Sequence, residues 1–135
     1  MPEGTLTPAQ YEIMDVVWQA GSDGATVAEI WHTISESRSV ARTTILNLVD
    51  RLEKRGWLNR RDADGGVRYS AAVSRDRTST ALAGEFVQQF FDGSAANLVM
   101  SLLGTSRLNA DEIRKLRDIL DQAPARPGKR EGGRP

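Results

Sequence analysis

The sequence predicts a mostly α-helical protein with one small β-hairpin. Three observations carry this. Apolar residues recur at helical spacing through most of the 135 residues, polar residues suited to helix capping precede the apolar runs, and the stretch from Trp57 to Val73 breaks the helical period with β-favourable residues divided by Asp64-Gly65.

Thr7-Pro8-Ala9-Gln10 has the features of a capping box, with a hydroxyl to cap, a proline at the first helical position and a glutamine to reach back. Leu6 and Tyr11 are spaced as a hydrophobic staple, and Ile13, Met14, Val17 and Trp18 continue an apolar stripe that stops at Gly21. Thr26 to Glu29 is a second capping box, and Val27, Ile30, Trp31 and Ile34 predict a helix over about 26–37. Ser39 is the expected N-cap of a third helix over about 40–55, with Ala41, Ile45, Leu48, Val49 and Leu52 on one face and Gly56 as a left-handed stop. Trp57 to Asp62 and Val67 to Val73 then flank the Asp64-Gly65 turn signal as a two-stranded ribbon. Three helices and a hairpin in this order predict a winged helix-turn-helix, with helices two and three as the DNA-reading pair and the hairpin as the wing.

The remainder is helical again. Residues 76–91 carry Leu82, Phe86 and Phe90 on one face with Val87 and Phe91 beside them; residues 94–103 carry Ala95, Leu98, Val99, Leu102 and Leu103; Asn109 to Glu112 opens a last capped helix bearing Ile113, Leu116 and Leu120. Three such helices make too small a core to stand unaided, yet they are dense in Leu and Phe. A C-terminal helical dimerisation domain is therefore expected, with Leu82, Phe86, Phe90, Phe91, Leu98, Val99, Leu102, Leu103, Ile113, Leu116 and Leu120 in its intertwined two-fold packing. The domains read as 1–74 for the winged helix, 75–122 for dimerisation and 123–135 for a tail whose Pro, Gly and charge predict disorder.

Bulk features exclude several functions. No apolar run approaches the roughly 18 residues of a membrane span, and the start lacks the basic and apolar regions of a signal peptide, so a cytoplasmic location without membrane insertion is expected. The chain has no cysteine and one histidine, His32, which removes thiol chemistry and the common metal sites, and no cofactor or metal is expected. His32 reads as a surface or boundary residue, and Trp18, Trp31 and Trp57 as core fillers. Asp111 and Glu112 read as partners of a helix dipole rather than a catalytic pair. No nucleophile–base pairing or phosphate-cradling glycine loop is present, and an enzyme is not expected.

Net charge is zero, but it is segregated. Residues 1–36 hold six acids and no Lys or Arg, whereas residues 37–61 hold seven bases against Asp50 and Glu53. A local field of this kind, rather than total charge, steers an anionic ligand. With the apolar face of helix three centred near Ile45 and Leu52, rotation by 100° per residue places Thr43, Asn47, Asp50 and Lys54 opposite, flanked by Arg42, Thr44, Leu46 and Arg51. Asn can pair bidentately with adenine, Arg with guanine, and Thr can offer its methyl to thymine. Backbone N–H groups from Ser39 to Arg42 suit a phosphate, and Arg60, Arg61 and Arg68 would stud the wing and reach phosphates or the minor groove. On that reading Arg68→Ala weakens binding to all sequences and lowers the salt slope by about one.

The runs "LTPAQYEIMDVVW", "TVAEIW", "RTTILNLVDRLEKRGWL", the wing "GGVRYSAAV", "FFDGSAANLVMSLL" and "LNADEIRKLRDIL" together resemble the penicillinase-repressor (BlaI/MecI-type) family of bacterial transcriptional regulators, in order over about residues 5–122. The "FDGS" of 91–94 and the paired Thr43-Thr44 are the most specific pieces. The resemblance implies a homodimeric repressor on a two-fold-symmetric operator, with base or phosphate contacts at Thr43, Thr44, Asn47 and Arg51, and Arg68 and Tyr69 on the wing. It also implies release when an antibiotic-sensing membrane metallopeptidase leads to cleavage in the dimerisation helices. Staphylococcal members are cut between Asn and Phe, and the aligned bond here is Ser101-Leu102, a departure at the cut itself. β-Lactam resistance is the best-known role of such relatives. A copper-responsive branch uses C-terminal cysteines, which this chain lacks.

A second reading makes the winged domain a protein-interaction module without DNA readout, since fold alone does not fix function. Asp50, near the centre of the outward face and unfavourable beside phosphate, is the residue that supports it.

Overall fold

The computed structural model describes residues 2–124. The tail expected over 123–135 lies, beyond Pro124, outside the described residues. The chain forms two compact units, Met1–Phe86 and Val87–Pro135.

In the first unit, Thr7 caps α1 (Pro8–Ala20) with the expected capping box, its hydroxyl accepting from the Gln10 N–H while the Gln10 side chain accepts from the Thr7 N–H. A 3-10 turn over Gly21–Asp23 follows, which the sequence reading did not anticipate. Thr26 and Glu29 close the second capping box at the start of α2 (Val27–Ser35), which ends two residues earlier than expected. The third helix corrects the sequence reading at its start. α3 runs Arg42–Lys54 with Ala41, not Ser39, at its N-cap and no side-chain cap. The cause is a tertiary bond: Trp31 Nε1 donates to the Val40 carbonyl at 2.8 Å, and the chain stays extended through Ala41 before it can coil. Gly56 supplies the expected left-handed residue after α3, with φ of 85°.

β1 (Leu58–Ala63) and β2 (Gly66–Ala71) pair antiparallel across Asp64-Gly65, in the register Leu58 to Ala71 through Ala63 to Gly66. A third short edge joins them: Ala25 and Tyr69 exchange N–H···O bonds of 2.9 and 2.8 Å. Gly24, with φ of 72°, makes this approach feasible, because a Cβ there would stand 2.3 Å from the Tyr69 carbonyl oxygen.

The core of this unit is Ile13, Met14 and Val17 of α1, Ile30 and Ile34 of α2, Ile45, Val49 and Leu52 of α3, and Trp57, Leu58 and Tyr69 from the wing. Every large aliphatic position predicted on the inner faces of α1 to α3 is buried except Val27 and Leu48, which are partly buried. Each such side chain contributes roughly 1.5–3 kcal/mol relative to exposure. Trp57 is buried among them, whereas Trp18 and Trp31 pack on the rim with their indole N–H groups donating to the carbonyls of Val73 and Val40.

The second unit takes up at Val87, within α4 (Arg75–Phe90). It contains α5 (Ala95–Gly104) and α6 (Ala110–Gln122). The "FDGS" motif has a local physical reading: Asp92 and Gly93 both take left-handed φ, 50° and 80°, and Ser94 then caps α5 by accepting from the Asn97 N–H at 3.1 Å. Asn109 and Glu112 form a third capping box at the start of α6. No residue of α5 or α6 is buried.

Candidate nucleic-acid interface

With Ile45, Val49 and Leu52 turned into the core, helical geometry presents the other side of α3 to solvent. Arg42, Thr43, Thr44, Asn47, Asp50, Arg51 and Lys54 are all exposed, and so is Leu46, at 48%. Because Ala41 brings no side-chain cap, the Arg42 and Thr43 N–H groups at the start of α3 remain open to an anion, while the Thr44 N–H donates to the Ala41 carbonyl. Ser39 is exposed but lies outside the helix and does not cap it.

The basic residues divide sharply by what they touch. Arg38 donates to Glu12 at 2.7 Å, and that hydrogen bond with its carboxylate charge holds the guanidinium above its ordinary range. Arg55 is turned back on the N-terminal segment, donating from Nε and Nη2 to the Glu3 carbonyl at 3.0 and 2.8 Å. Arg75 pairs with Asp15 at 2.5 Å and lies 5.0 Å over the Trp18 ring; the Asp15 hydrogen bond is the main cause of its raised pKa. Arg68 is taken up by the Asp23 and Gly24 carbonyls and by Glu29. Lys54 pairs with Asp50 at 3.1 Å along the helix. By contrast, the side chains of Arg42, Arg51 and Arg60 have no hydrogen-bond or ion-pair partner among the described residues. The first segment thus takes up Arg38, Arg55, Arg68 and Arg75, whereas Arg42 and Arg51 on the outer face of α3, Arg60 on β1 and Arg77 on α4 keep uncompensated side chains.

Of the residues singled out from sequence, Arg42, Thr43, Thr44, Asn47, Arg51 and Lys54 share the outward part of α3, and Arg60 and Arg61 are exposed on β1, Arg61 with one donor on the Asp23 carbonyl at 3.1 Å. Two do not join them. Tyr69 is a core residue, only 8% exposed, packed with Trp57 and Leu58. Arg68 is partly buried with its donors committed internally, because β2 at that position faces the 3-10 turn and α2 rather than solvent. His32 is exposed on α2.

The residues expected in a dimer seam carry their apolar surface outward. Phe86, Phe90, Leu103 and Leu120 are 46%, 66%, 47% and 62% exposed. Leu82, Phe91, Leu98, Val99, Leu102, Ile113 and Leu116 are partly buried. Met100 and Ile119, next to the apolar stripe but outside the predicted seam, are exposed as well, and only their exposure reveals them. Ser101 and Leu102 lie within α5, with the Ser101 carbonyl accepting from the Thr105 N–H at 3.2 Å.

The penicillinase repressor family model matches residues 6–122. A penicillinase repressor of Staphylococcus aureus is 28% identical over 116 residues, covering 86% of this chain and 90% of that protein. The methicillin resistance regulatory protein MecI of Mammaliicoccus sciuri is 26% identical, covering 87% and 94%, and the transcriptional regulator BlaI of Mycobacterium tuberculosis is 26% identical, covering 87% and 84%. Among solved structures, the monomeric form of Bacillus licheniformis BlaI in complex with the blaP half-operator is similar with a TM-score of 0.47 at 22% identity, over 54% of this chain and 87% of that one.

Proposed function

The chain belongs to the penicillinase repressor family, whose members are transcriptional repressors and not enzymes, and on that premise we propose that it is a DNA-binding repressor acting as a homodimer on a two-fold-symmetric operator. The observation that carries the reading is the sorting of charge around the wing and α3: internal partners take up Arg38, Arg55, Arg68 and Arg75, while the side chains of Arg42, Arg51 and Arg60 stay unpaired around a row of hydrogen-bonding side chains on α3. An α-helix of this width fits the major groove. Asn47 can read adenine bidentately, Thr43 and Thr44 can meet a thymine methyl or a phosphate, and Arg42 with the open first turn of α3 holds the backbone. Arg60 and Arg61 reach adjacent phosphates from the wing.

Asp50 no longer argues for a protein-interaction module. Its carboxylate lies 3.1 Å from Lys54, so it meets a phosphate as half of a neutral pair.

Dimerisation is supported by the apolar surface of α4, α5 and α6, which a second copy would cover. Among the described residues no helix is long and apolar enough to cross a membrane, and we place the protein in the cytoplasm with the DNA. A membrane sensor metallopeptidase is the proposed agent of release, by cleavage at Ser101-Leu102. That bond is helical here, and proteases bind extended chain, so α5 must open for cleavage.

Mobility shifts with a duplex from the promoter of its own gene test the reading. Asn47→Ala is expected to relax preference at one base position at a cost of ~1–3 kcal/mol. Binding with no preference over random DNA at physiological salt contradicts it.

A further inference from the structure

One carboxylate oxygen joins two elements that look independent in the sequence. Glu29 Oε1 accepts the Thr26 N–H at 3.0 Å, closing the box that starts α2. The same oxygen accepts Nη2 of Arg68, from the middle of β2, at 3.1 Å. Arg68 also grips the 3-10 turn, donating from Nε to the Asp23 carbonyl at 3.0 Å and from Nη2 to the Gly24 carbonyl at 3.1 Å. Directly across the hairpin, Arg61 donates to that same Asp23 carbonyl at 3.1 Å. Immediately beside this cluster lies the backbone exchange between Ala25 and Tyr69.

We infer that Arg68 is a positioning residue for DNA binding: with Glu29 it fixes the wing against the start of α2 and thereby sets where Arg60 and Arg61 stand relative to α3. The inference rests on the DNA-binding reading. Three features separate it from a phosphate contact. The Arg68 side chain is only 25% exposed. Its Nε and Nη2 donors already have acceptors of good geometry, one of them charged. Arg61 and Arg68 are also directly opposed in the hairpin, where like charges repel, and Glu29 offsets that repulsion on the Arg68 side alone. Arg61 is thus the charge left to face outward. A planar guanidinium suits this fork, since Nε and Nη2 meet their acceptors from two nitrogens held in one plane, whereas a lysine has a single nitrogen.

The test uses the full chain and a duplex that the wild type selects from a random library. Arg68→Ala and Glu29→Gln each weaken binding about tenfold, the size of one lost charge-assisted hydrogen bond, and the double variant loses little more than either. The slope of log affinity against log salt stays at the wild-type value in both, whereas Arg60→Ala lowers it by about 0.9. Arg68→Lys recovers little. Without DNA, amide exchange at Ala25 and Tyr69 quickens in both variants while that at Ile13 and Ile45 does not; glutamine at 29 can still cap α2, so this variant keeps the fold if Arg68→Ala does not. A slope lost in Arg68→Ala as in Arg60→Ala, or full affinity in Glu29→Gln, overturns the inference. A wild type that selects no sequence defeats the DNA-binding reading instead, and the clamp then stands on faster exchange or falls on unchanged exchange.

Discussion

The first unit and the α5–α6 segment carry the same kind of apolar stripe and use it in opposite ways. In α1, α2 and α3 the stripe is closed: Ile13, Met14, Ile30, Ile45, Val49 and Leu52 are fully buried against one another and the wing. In α5 and α6 nothing is buried, and Met100, Ile119 and Leu120 are 67%, 55% and 62% exposed. Helical periodicity thus predicts that a face is apolar, and only the structure tells whether its cover lies in the same chain. The first unit needs no second copy to be a fold. The later helices leave their apolar stripe open, and this is why we propose subunit pairing for them and reading for the first unit.

The contrast can be broken at its strongest point. Ile45→Ala removes a fully buried side chain shared by the three helices and is expected to lower unfolding stability by about 2–5 kcal/mol in chemical denaturation; a loss under about 0.5 kcal/mol, as at ordinary surface sites, would erase the distinction. On the other side, Leu103→Asp with Leu120→Asp is expected to weaken self-association at least about tenfold in sedimentation. The near-ultraviolet dichroism of Trp18, Trp31 and Trp57, all in the first unit, should stay native in that variant. A smaller effect sharpens the picture at the rim: Trp18→Phe deletes the 2.9 Å indole bond to the Val73 carbonyl and is expected to cost about 1 kcal/mol, leaving self-association unchanged.

The parts legible in the sequence were those fixed by neighbours a few residues apart. The capping boxes at Thr7, Thr26 and Asn109 place three helix starts to the residue, Gly56 marks the end of α3, and Asp64-Gly65 marks the hairpin. Ser39 failed as a cap because a partner nine residues away, the Trp31 indole on the Val40 carbonyl, decides where α3 begins. The candidate site followed the same rule. Rotation about the α3 axis identifies Thr43, Asn47 and Arg51 as outward, since Ile45, Val49 and Leu52 fix the inward side. Arg68 and Tyr69 lie on the wing as expected, but their inward setting is not legible locally, because their surroundings, Asp23 to Ala25 and Glu29, come from some forty residues upstream. No local pattern carries that pairing. The same holds for Arg55, one of the seven bases of the basic block, which instead anchors the N-terminal segment.

The account turns on a cover for α5 and α6 that one chain does not provide. Sedimentation equilibrium of the intact chain at micromolar concentration tests this most directly: it predicts a single species of twice the 14.8 kDa chain mass. A monomer across that range, with α5 and α6 still helical, would contradict it.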